Sequence, residues 1–462
     1  MVLRIGRRAA LRTLAGAAGL AALSGCTIVD GEPVAGTQGL SKKPAPGRRT
    51  NIVFYNLFGG IDGQGWVELA TRFESVQDEI GVEVVYAPTT GQGEQQKLLV
   101  SIAAGDPPDL AQVIPFQVPQ WAELGIMTDL TDLVRGAGLG EKDFLPAVWQ
   151  GMRWKDRVWQ LQWDVDPNFP FYWNKKLFEE CGLDPERPPR TVTEIDELSK
   201  EITQVGRSGA SRVGIVPWQV AGFANAAFTW GFAFGGEFVD PRTGQVTPDD
   251  ERIVAAVDWM ARYAKSLGGA DRLNVAPPTL QMNPFGYGHM GMAPLGPRSI
   301  RQILEAEPDF DYGSTLLPYQ PPGATKPGAG TWIGGWGAFI PKEARHPEAA
   351  WEFLRWFSAT PEGTLAEFET VNYPPGYLGS PALERMKADP ILRPSYDAMF
   401  AATNIKPSLP ATNYFSQQLE IHVARAIYGE IPAAEALRVV RDNTRREAER
   451  FENQMGLRHA PT

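Results

Sequence analysis

Asp164, Asp166 and Asn168 crowd one short stretch, Trp163-Asp164-Val165-Asp166-Pro167-Asn168. Two neighbouring carboxylates can share acid and nucleophile roles in glycoside hydrolysis, and they can equally accept hydrogen bonds from sugar hydroxyls. Nothing in the sequence separates an acid from a nucleophile here. A second candidate is Gly330-Thr331-Trp332-Ile333-Gly334-Gly335-Trp336-Gly337-Ala338-Phe339-Ile340-Pro341. Glycines let the backbone turn tightly and approach a ligand closely, so Trp336 reads as a flat aromatic platform on a glycine loop. Large aromatics are also usually well buried, and core packing is the competing reading for either indole.

Other chemistry is missing from the pattern. The histidines at 289, 346, 422 and 459 are scattered, and neither paired cysteines nor H-E-x-x-H offers a metal site. No cofactor is expected. There is no G-x-S-x-G elbow and no phosphate-binding G-x-x-x-x-G-K. Gly286-Tyr287-Gly288-His289-Met290-Gly291 matches G-x-G-x-x-G, but it precedes a strand instead of following one, which excludes a dinucleotide site.

The chain has 462 residues, enough for two domains, and a formal charge of −10. Residues 1–25 carry four arginines and no acid, leaving 40 basic against 54 acidic residues beyond them, or −14. That balance argues against nucleic acid and against a basic membrane-binding face. Fourteen Trp, twelve Tyr and 39 Pro point weakly toward carbohydrate, whose C–H faces stack on aromatic rings. The two cysteines, Cys26 and Cys181, make no disulfide framework.

The elements that must position these residues follow in order. Asn51 to Phe58 is a strand by residue type, and Trp66, Leu69, Ala70 and Phe73 then fall at helical spacing. Val82 to Ala87, a helix over Gln96 to Ala104, and Leu110 to Ile114 complete a βαβαβ run, which implies a parallel sheet with ligands at the carboxyl ends of its strands. Phe58 and Phe116-Gln117 lie just beyond two such ends. Val158 to Trp163 alternates like a strand, and Phe171-Tyr172-Trp173-Asn174 opens a helix. Thr191 with Glu194 makes a capping box, Val213 to Val216 is a short strand, and Phe228-Thr229-Trp230 leads an aromatic helix. Thr247 is expected to cap the next helix, with Pro248 at its first position. Strands at His289 to Leu295 and Tyr312 to Leu317 flank Gly296-Pro297-Arg298. Gly337 to Ile340 is a buried strand, a helix restarts at Pro347, and helices close the chain over Gln417 to Tyr428 and Ala433 to Phe451.

The N-terminus reads as an address. Arg7-Arg8 precedes a short, weakly apolar run from Thr13 to Ala22, the form of a twin-arginine export signal. It ends in Leu23-Ser24-Gly25-Cys26, which resembles the bacterial lipoprotein cleavage box, and implies that Cys26 is acylated. Residues 26–49 are expected to be a flexible tether. No later run of 18 or more apolar residues is present.

From about Thr50 to Phe451 the chain resembles the extracellular solute-binding proteins of ABC importers, in the sugar-binding group that includes maltose-binding protein. The matching pieces are Ala103-Ala104-Gly105-Asp106-Pro107-Pro108-Asp109, Tyr172-Trp173-Asn174-Lys175-Lys176-Leu177-Phe178, Gly288-His289-Met290-Gly291-Met292 running to Gly296-Pro297, Gly334 to Lys342, and Pro347-Glu348-Ala349-Ala350-Trp351. The resemblance implies an α/β, two-lobed periplasmic-binding-protein fold of type II, each lobe a mainly parallel sheet flanked by helices, with the ligand cleft between lobes. The implied division is 1–25 signal, 26–49 tether, 50–162 with 322–369 as the N-terminal lobe, and 163–321 with 370–455 as the C-terminal lobe. The implied crossings lie near Trp163, Pro321 and Thr370.

The family's ligand positions fall here on or near Gln117, Asp164, Arg298 and Tyr414; Phe58 beyond its strand end, Trp163, Trp336 on its glycine loop, and Trp230, for which core and cleft stand equal, complete the expected ligand-binding residues. Arg298 stands where maltose-binding proteins carry a stacking Trp, which puts maltose itself in doubt. The expected function is a non-enzymatic, monomeric, lipid-anchored lipoprotein that captures a sugar outside the cell and presents it to permease subunits. The alternatives are a binding protein for a non-sugar or phosphorylated polyol solute, which Arg298 would favour, and a glycoside hydrolase using Asp164 and Asp166.

Overall fold

The computed structural model describes residues 40–88, 95–219, 222–240, 242–273 and 284–456. Cys26 and the export signal lie outside them. The first lobe is built on a five-stranded sheet in the order Ile80–Tyr86, Thr50–Asn56, Leu110–Val113, Gly337–Phe339, Leu161–Gln162. The first three strands pair in parallel, as the βαβαβ run requires, and the last two join antiparallel. Ile52 and Phe54 point into the core on alternate positions, and Leu110–Val113, central in the sheet, is buried at every residue. The helix Gly60–Ser75 covers this sheet with Trp66, Leu69, Ala70 and Phe73. Phe54 meets Trp66 edge-on with centroids 5.1 Å apart, a geometry that aligns ring edge with ring face.

The second lobe carries a three-stranded sheet, Met292–Pro294, Phe171–Asn174 and Tyr312–Thr315, whose pairings are all antiparallel. Phe171–Asn174 is therefore a buried strand and not the start of a helix; Asn174 instead caps the helix Lys175–Glu180 by accepting from the Leu177 N–H. Helices Phe223–Ala233, Glu251–Ser266, Thr412–Ile427 and Ala433–Met455 pack around a core that includes Phe228, Trp230 and Phe415. The capping box at Thr191 and Glu194 is formed. Thr247 does not cap its helix: its hydroxyl donates to Glu237 O, and Asp250, three residues on, accepts from the Arg252 N–H. The strands expected at Val158 to Trp163 and Val213 to Val216 shrink to short pairs and a single bridge.

Three short strands, Asp166–Asn168, Trp332–Gly334 and Asn404–Ile405, pair side by side where the chain passes between the lobes. Trp163 belongs to the first core and Phe169 to the second, and Trp332 belongs to the second while Ile333 belongs to the first. The second passage thus lies at Trp332 and not near Pro321. The third lies at Asn404 and not near Thr370, because Leu383, Met386, Leu392 and Met399 return to the first core. Residues 40–49, expected in the tether, belong to the folded body instead. Lys42 exchanges backbone hydrogen bonds with Val84, its ammonium pairs with Glu74 at 2.6 Å, and Leu40 is buried. Among the described residues no helix is long and apolar enough to cross a membrane.

Candidate functional site: an aromatic cavity at the passages between lobes

Gly334 and Gly335 bring the backbone of one passage against another. Gly335 has φ +103°, and a Cβ on it would sit 2.2 Å from Asp164 O. The N–H of Trp336 donates to Asp164 O at 3.3 Å, and the N–H groups of Trp163 and Asp164 both donate to Trp336 O at 3.1 Å. Only glycine allows this close approach. The half-buried Trp336 indole that results has Phe58 against it edge-on at 5.1 Å and lines a cavity of about 240 Å³.

Phe116, Phe169 and Trp332 supply the rest of the aromatic wall. Polar groups converge between the rings: Asp166, Asn168, Gln162, Asn225 and Lys406. The Gln162 amide donates to Asp164 O at 2.9 Å and to Gly334 O at 2.8 Å, which ties two passages together. Trp332 is fixed by its indole N–H, which donates to the Thr229 hydroxyl at 3.0 Å. The Lys406 ammonium lies over the rings of Trp332, Phe116 and Phe228 at 4.9, 5.0 and 5.4 Å, where ring quadrupoles attract it. Burial lowers its pKa to about 8, against the opposing pull of Asp166 and Glu420. Burial also raises Asp166 to about 6, with Arg298 and Lys406 opposing. A second chamber of about 760 Å³ adjoins the first at Ile405, Lys406 and Ser408, walled by Trp149 and Trp154 of the first lobe and Phe232 and Phe238 of the second.

The residues singled out in the sequence divide. Trp336 lines the cavity. Phe58 stands one layer behind it, among Trp163, Trp336 and Tyr373. Trp163 packs on Trp66 at 4.7 Å in the first core. Trp230 is 0% exposed, donates to Pro217 O and packs on Trp259, so it is a core residue of the second lobe and not a cleft residue. Gln117 is buried and its amide oxygen accepts from the Ile114 N–H; its neighbour Phe116 takes the place in the wall. Tyr414 lies on the helix Thr412–Ile427, partly buried and outside both chambers.

Asp164 is 1% exposed and is not among the residues that line the cavity; its Oδ1 has no hydrogen-bond partner among the described residues. Burial, then the neighbouring Asp166, holds its pKa well above the ordinary range. The acid that lines the cavity is Asp166 instead. Arg298 is engaged elsewhere: its guanidinium bonds both oxygens of Asp62 at 2.8 and 3.2 Å and lies 4.8 Å over the Tyr373 ring. Asn225 and Lys406 went unnoticed in the sequence, since neither carries a local motif. Among the described residues no group of three His, Cys, Asp or Glu could hold a metal ion.

Comparison with known proteins gives this geometry its context. Residues 60–363 match the model of the bacterial extracellular solute-binding protein family. The maltotriose-binding protein of Pyrococcus abyssi is 24% identical over 279 residues, 58% of this chain and 54% of the relative, so the chain spans about half of that protein's length. The sn-glycerol-3-phosphate-binding periplasmic protein of Escherichia coli K12 is 24% identical over 382 residues, covering 79% of this chain and 82% of the relative. Among solved structures, CpMnBP1 with mannobiose bound superposes with a TM-score of 0.72 at 21% identity, over 86% of this chain and 100% of that one. The sugar-binding protein MalE from Xanthomonas citri gives 0.73 at 17% identity, over 88% and 100%. With more than half of its length matched by the family model, the chain belongs to the bacterial extracellular solute-binding proteins, which bind their substrates and are not enzymes.

Proposed function

We propose that this protein captures a neutral sugar or short oligosaccharide in the cavity between its lobes and delivers it to an ABC import permease. The carrying observation is the cavity itself: aromatic walls from Phe116, Trp332 and Trp336 enclose Asp166, Asn168, Asn225 and Lys406. Rings offer faces to sugar C–H groups, while the carboxylate accepts and the ammonium donates to hydroxyls. Micromolar affinity needs about 8 kcal/mol of net binding free energy, within reach of two ring contacts and several charge-assisted hydrogen bonds. Relatives and structural neighbours that bind maltotriose, mannobiose and other sugars support this reading. So does the family, for a site of action outside the cytoplasm. Anchoring through an acylated Cys26 belongs to the same proposal and rests on the Leu23-Ser24-Gly25-Cys26 box.

The glycerol-phosphate-binding relatives favour a second reading, a phosphorylated polyol. Lys406 is the group that would meet the phosphate, but Asp166 lines the same cavity and Arg298 is bound to Asp62. A dianion would enter against an acid with its best partner already occupied, which weighs toward the neutral solute. A thermal-shift screen of sugars against polyol phosphates separates the two, because a ligand of the native state raises its melting temperature. A rise with a neutral sugar and none with glycerol 3-phosphate is expected; the reverse pattern overturns the sugar reading.

A further inference from the structure

Glu420 is not among the residues that line either chamber, yet the helix it holds carries part of the cavity wall. That helix, Phe223–Ala233, has Gly222 at its N-cap, with φ +95° and no side chain to accept from the first turn. Ser, Thr, Asp or Asn ordinarily supplies that acceptor. Here another helix supplies it. The Ala224 N–H donates at 2.8 Å to Oε2 of Glu420, which lies on Thr412–Ile427, packed along Phe223–Ala233. A Cβ on Gly222 would stand 3.1 Å from the same oxygen, so the glycine leaves room for the carboxylate. The place also suits a negative charge, because a helix N-terminus favours an acid.

The bond is made beside the first cavity residue of the helix. Asn225 follows Ala224 and lines the cavity. Phe228 and Thr229 come next at helical spacing, on the same face. Phe228 lies under the Lys406 ammonium at 5.4 Å, and the Thr229 hydroxyl accepts from the indole N–H of Trp332, itself part of the wall. Fraying of the first turn therefore displaces Asn225 first and then loosens the seat of Trp332. Glu420 also acts on Lys406 directly. The rings of Phe116, Trp332 and Phe228 cover this ammonium, and the charges that act on it are Asp166, on a passage strand, and Glu420. Both oppose the burial that favours loss of its proton.

We infer that Glu420 is a positioning residue for solute binding: from outside the cavity its carboxylate caps Phe223–Ala233, fixing Asn225 and the Thr229–Trp332 contact, while its charge supports the Lys406 ammonium. The inference rests on the reading of this cavity as the solute site. Its test uses no solute, so its failure is told apart from a failure of that reading. A side chain that served packing alone would leave the titration of Lys406 unmoved.

The test is nuclear magnetic resonance of the empty protein, with Lys406→Arg assigning the Lys406 signal and circular dichroism confirming that each variant is folded. Glu420→Ala should speed hydrogen exchange at the Ala224 and Asn225 amides about fivefold, the effect of losing a helix cap. It should also make Lys406 release its proton at a lower pH than the wild type, whose midpoint is expected at about 8. Glu420→Gln keeps an oxygen that accepts from Ala224 but removes the charge. Its exchange should stay close to wild type while the Lys406 midpoint falls. Unchanged exchange at Ala224 and Asn225 in the folded Glu420→Ala protein would overturn the inference. So would a Lys406 midpoint that stays at the wild-type value in Glu420→Gln, a reading that holds even if Glu420→Ala fails to fold.

Discussion

On the proposed sugar reading, Asp166 and Lys406 set the pH window in which the cavity holds its solute. Burial lifts Asp166 to about 6 and depresses Lys406 to about 8. Between these values the carboxylate is ionised and accepts, while the ammonium is charged and donates. Below the first, Asp166 takes up a proton; above the second, Lys406 loses one. Calorimetric titration of the solute found by screening should therefore give a bell-shaped affinity profile with limbs near those two values. Asp166→Asn should abolish the acid limb and weaken binding at neutral pH by about 1.5–3 kcal/mol, the usual value of a hydrogen bond to a charged group. A flat profile from acid to alkaline pH would remove both residues from the site. Trp336 answers a separate question. Its indole is half-buried, packed on Phe58 on one side and open to the cavity on another. Trp336→Ala should weaken binding by roughly 1–3 kcal/mol, while stability falls by less than the ~3–5 kcal/mol that truncating a fully buried ring costs. Strong destabilisation with near-normal affinity would make it a core residue.

The passage strands carry Asp166, Asn168 and Trp332 into the cavity, and Gly335 sets how closely two of the passages approach. Gly335→Ala places a methyl group on Asp164 O in a backbone conformation that alanine resists. A loss of about 1–3 kcal/mol or more is expected in urea unfolding, together with weaker solute binding as Trp336 is displaced. An unchanged midpoint would show that the passages can separate freely. This element explains what the sequence could reveal. The strands Thr50–Asn56, Ile80–Tyr86 and Leu110–Val113 were legible because apolar runs, helical spacing and glycines punctuate them locally. Trp336 was legible from its glycines, and Asp166 with Asn168 from their crowding. Asn225 on the helix Phe223–Ala233 and Lys406 just after Asn404–Ile405 reach the wall at Phe116 only through tertiary packing, and no local pattern carries that, although Phe116 itself was legible beyond a strand end. Trp230 misled because nine residues of Phe223–Ala233 are buried, leaving no polar face to orient the helix. Thr247 misled because two capping residues stand three apart and its hydroxyl had another use. The third passage was misplaced because apolar spacing in residues 371–402 shows that helices bury a face, not which of two cores receives it.

At the scale of the whole molecule, Cys26→Ser should release the protein from the membrane fraction without altering solute affinity; retention of the variant after a high-salt wash would remove the lipid anchor. Stability should carry a signature of its own. Glu367, on the helix Pro361–Thr370 that packs against Gly60–Ser75, is 0% exposed, and neither carboxyl oxygen has a hydrogen-bond partner among the described residues. Burial, and then the charge of Asp164, raises its pKa well above the ordinary carboxylate range. Asp164 is raised in the same way. Folded pKa values above the unfolded ones mean that the native state holds protons the unfolded chain has released. Their contribution is complete below the unfolded value of about 4 and is lost as pH rises through the folded values. Asp166 adds to this loss up to about 6. Lys406 acts with the opposite sign only above about 8, where the folded protein sheds a proton the unfolded chain keeps. The empty protein should therefore melt at a higher temperature at mildly acidic pH than at pH near 8, short of the acid range where surface ion pairs fail. Glu367→Met removes an unsatisfied buried acid at nearly constant volume. It should stabilise the empty protein at pH near 8 by about 1–3 kcal/mol and flatten the pH slope. A variant that melts earlier at that pH, with the slope intact, would mean that Glu367 is satisfied in solution and supports the packing of its helix on Gly60–Ser75.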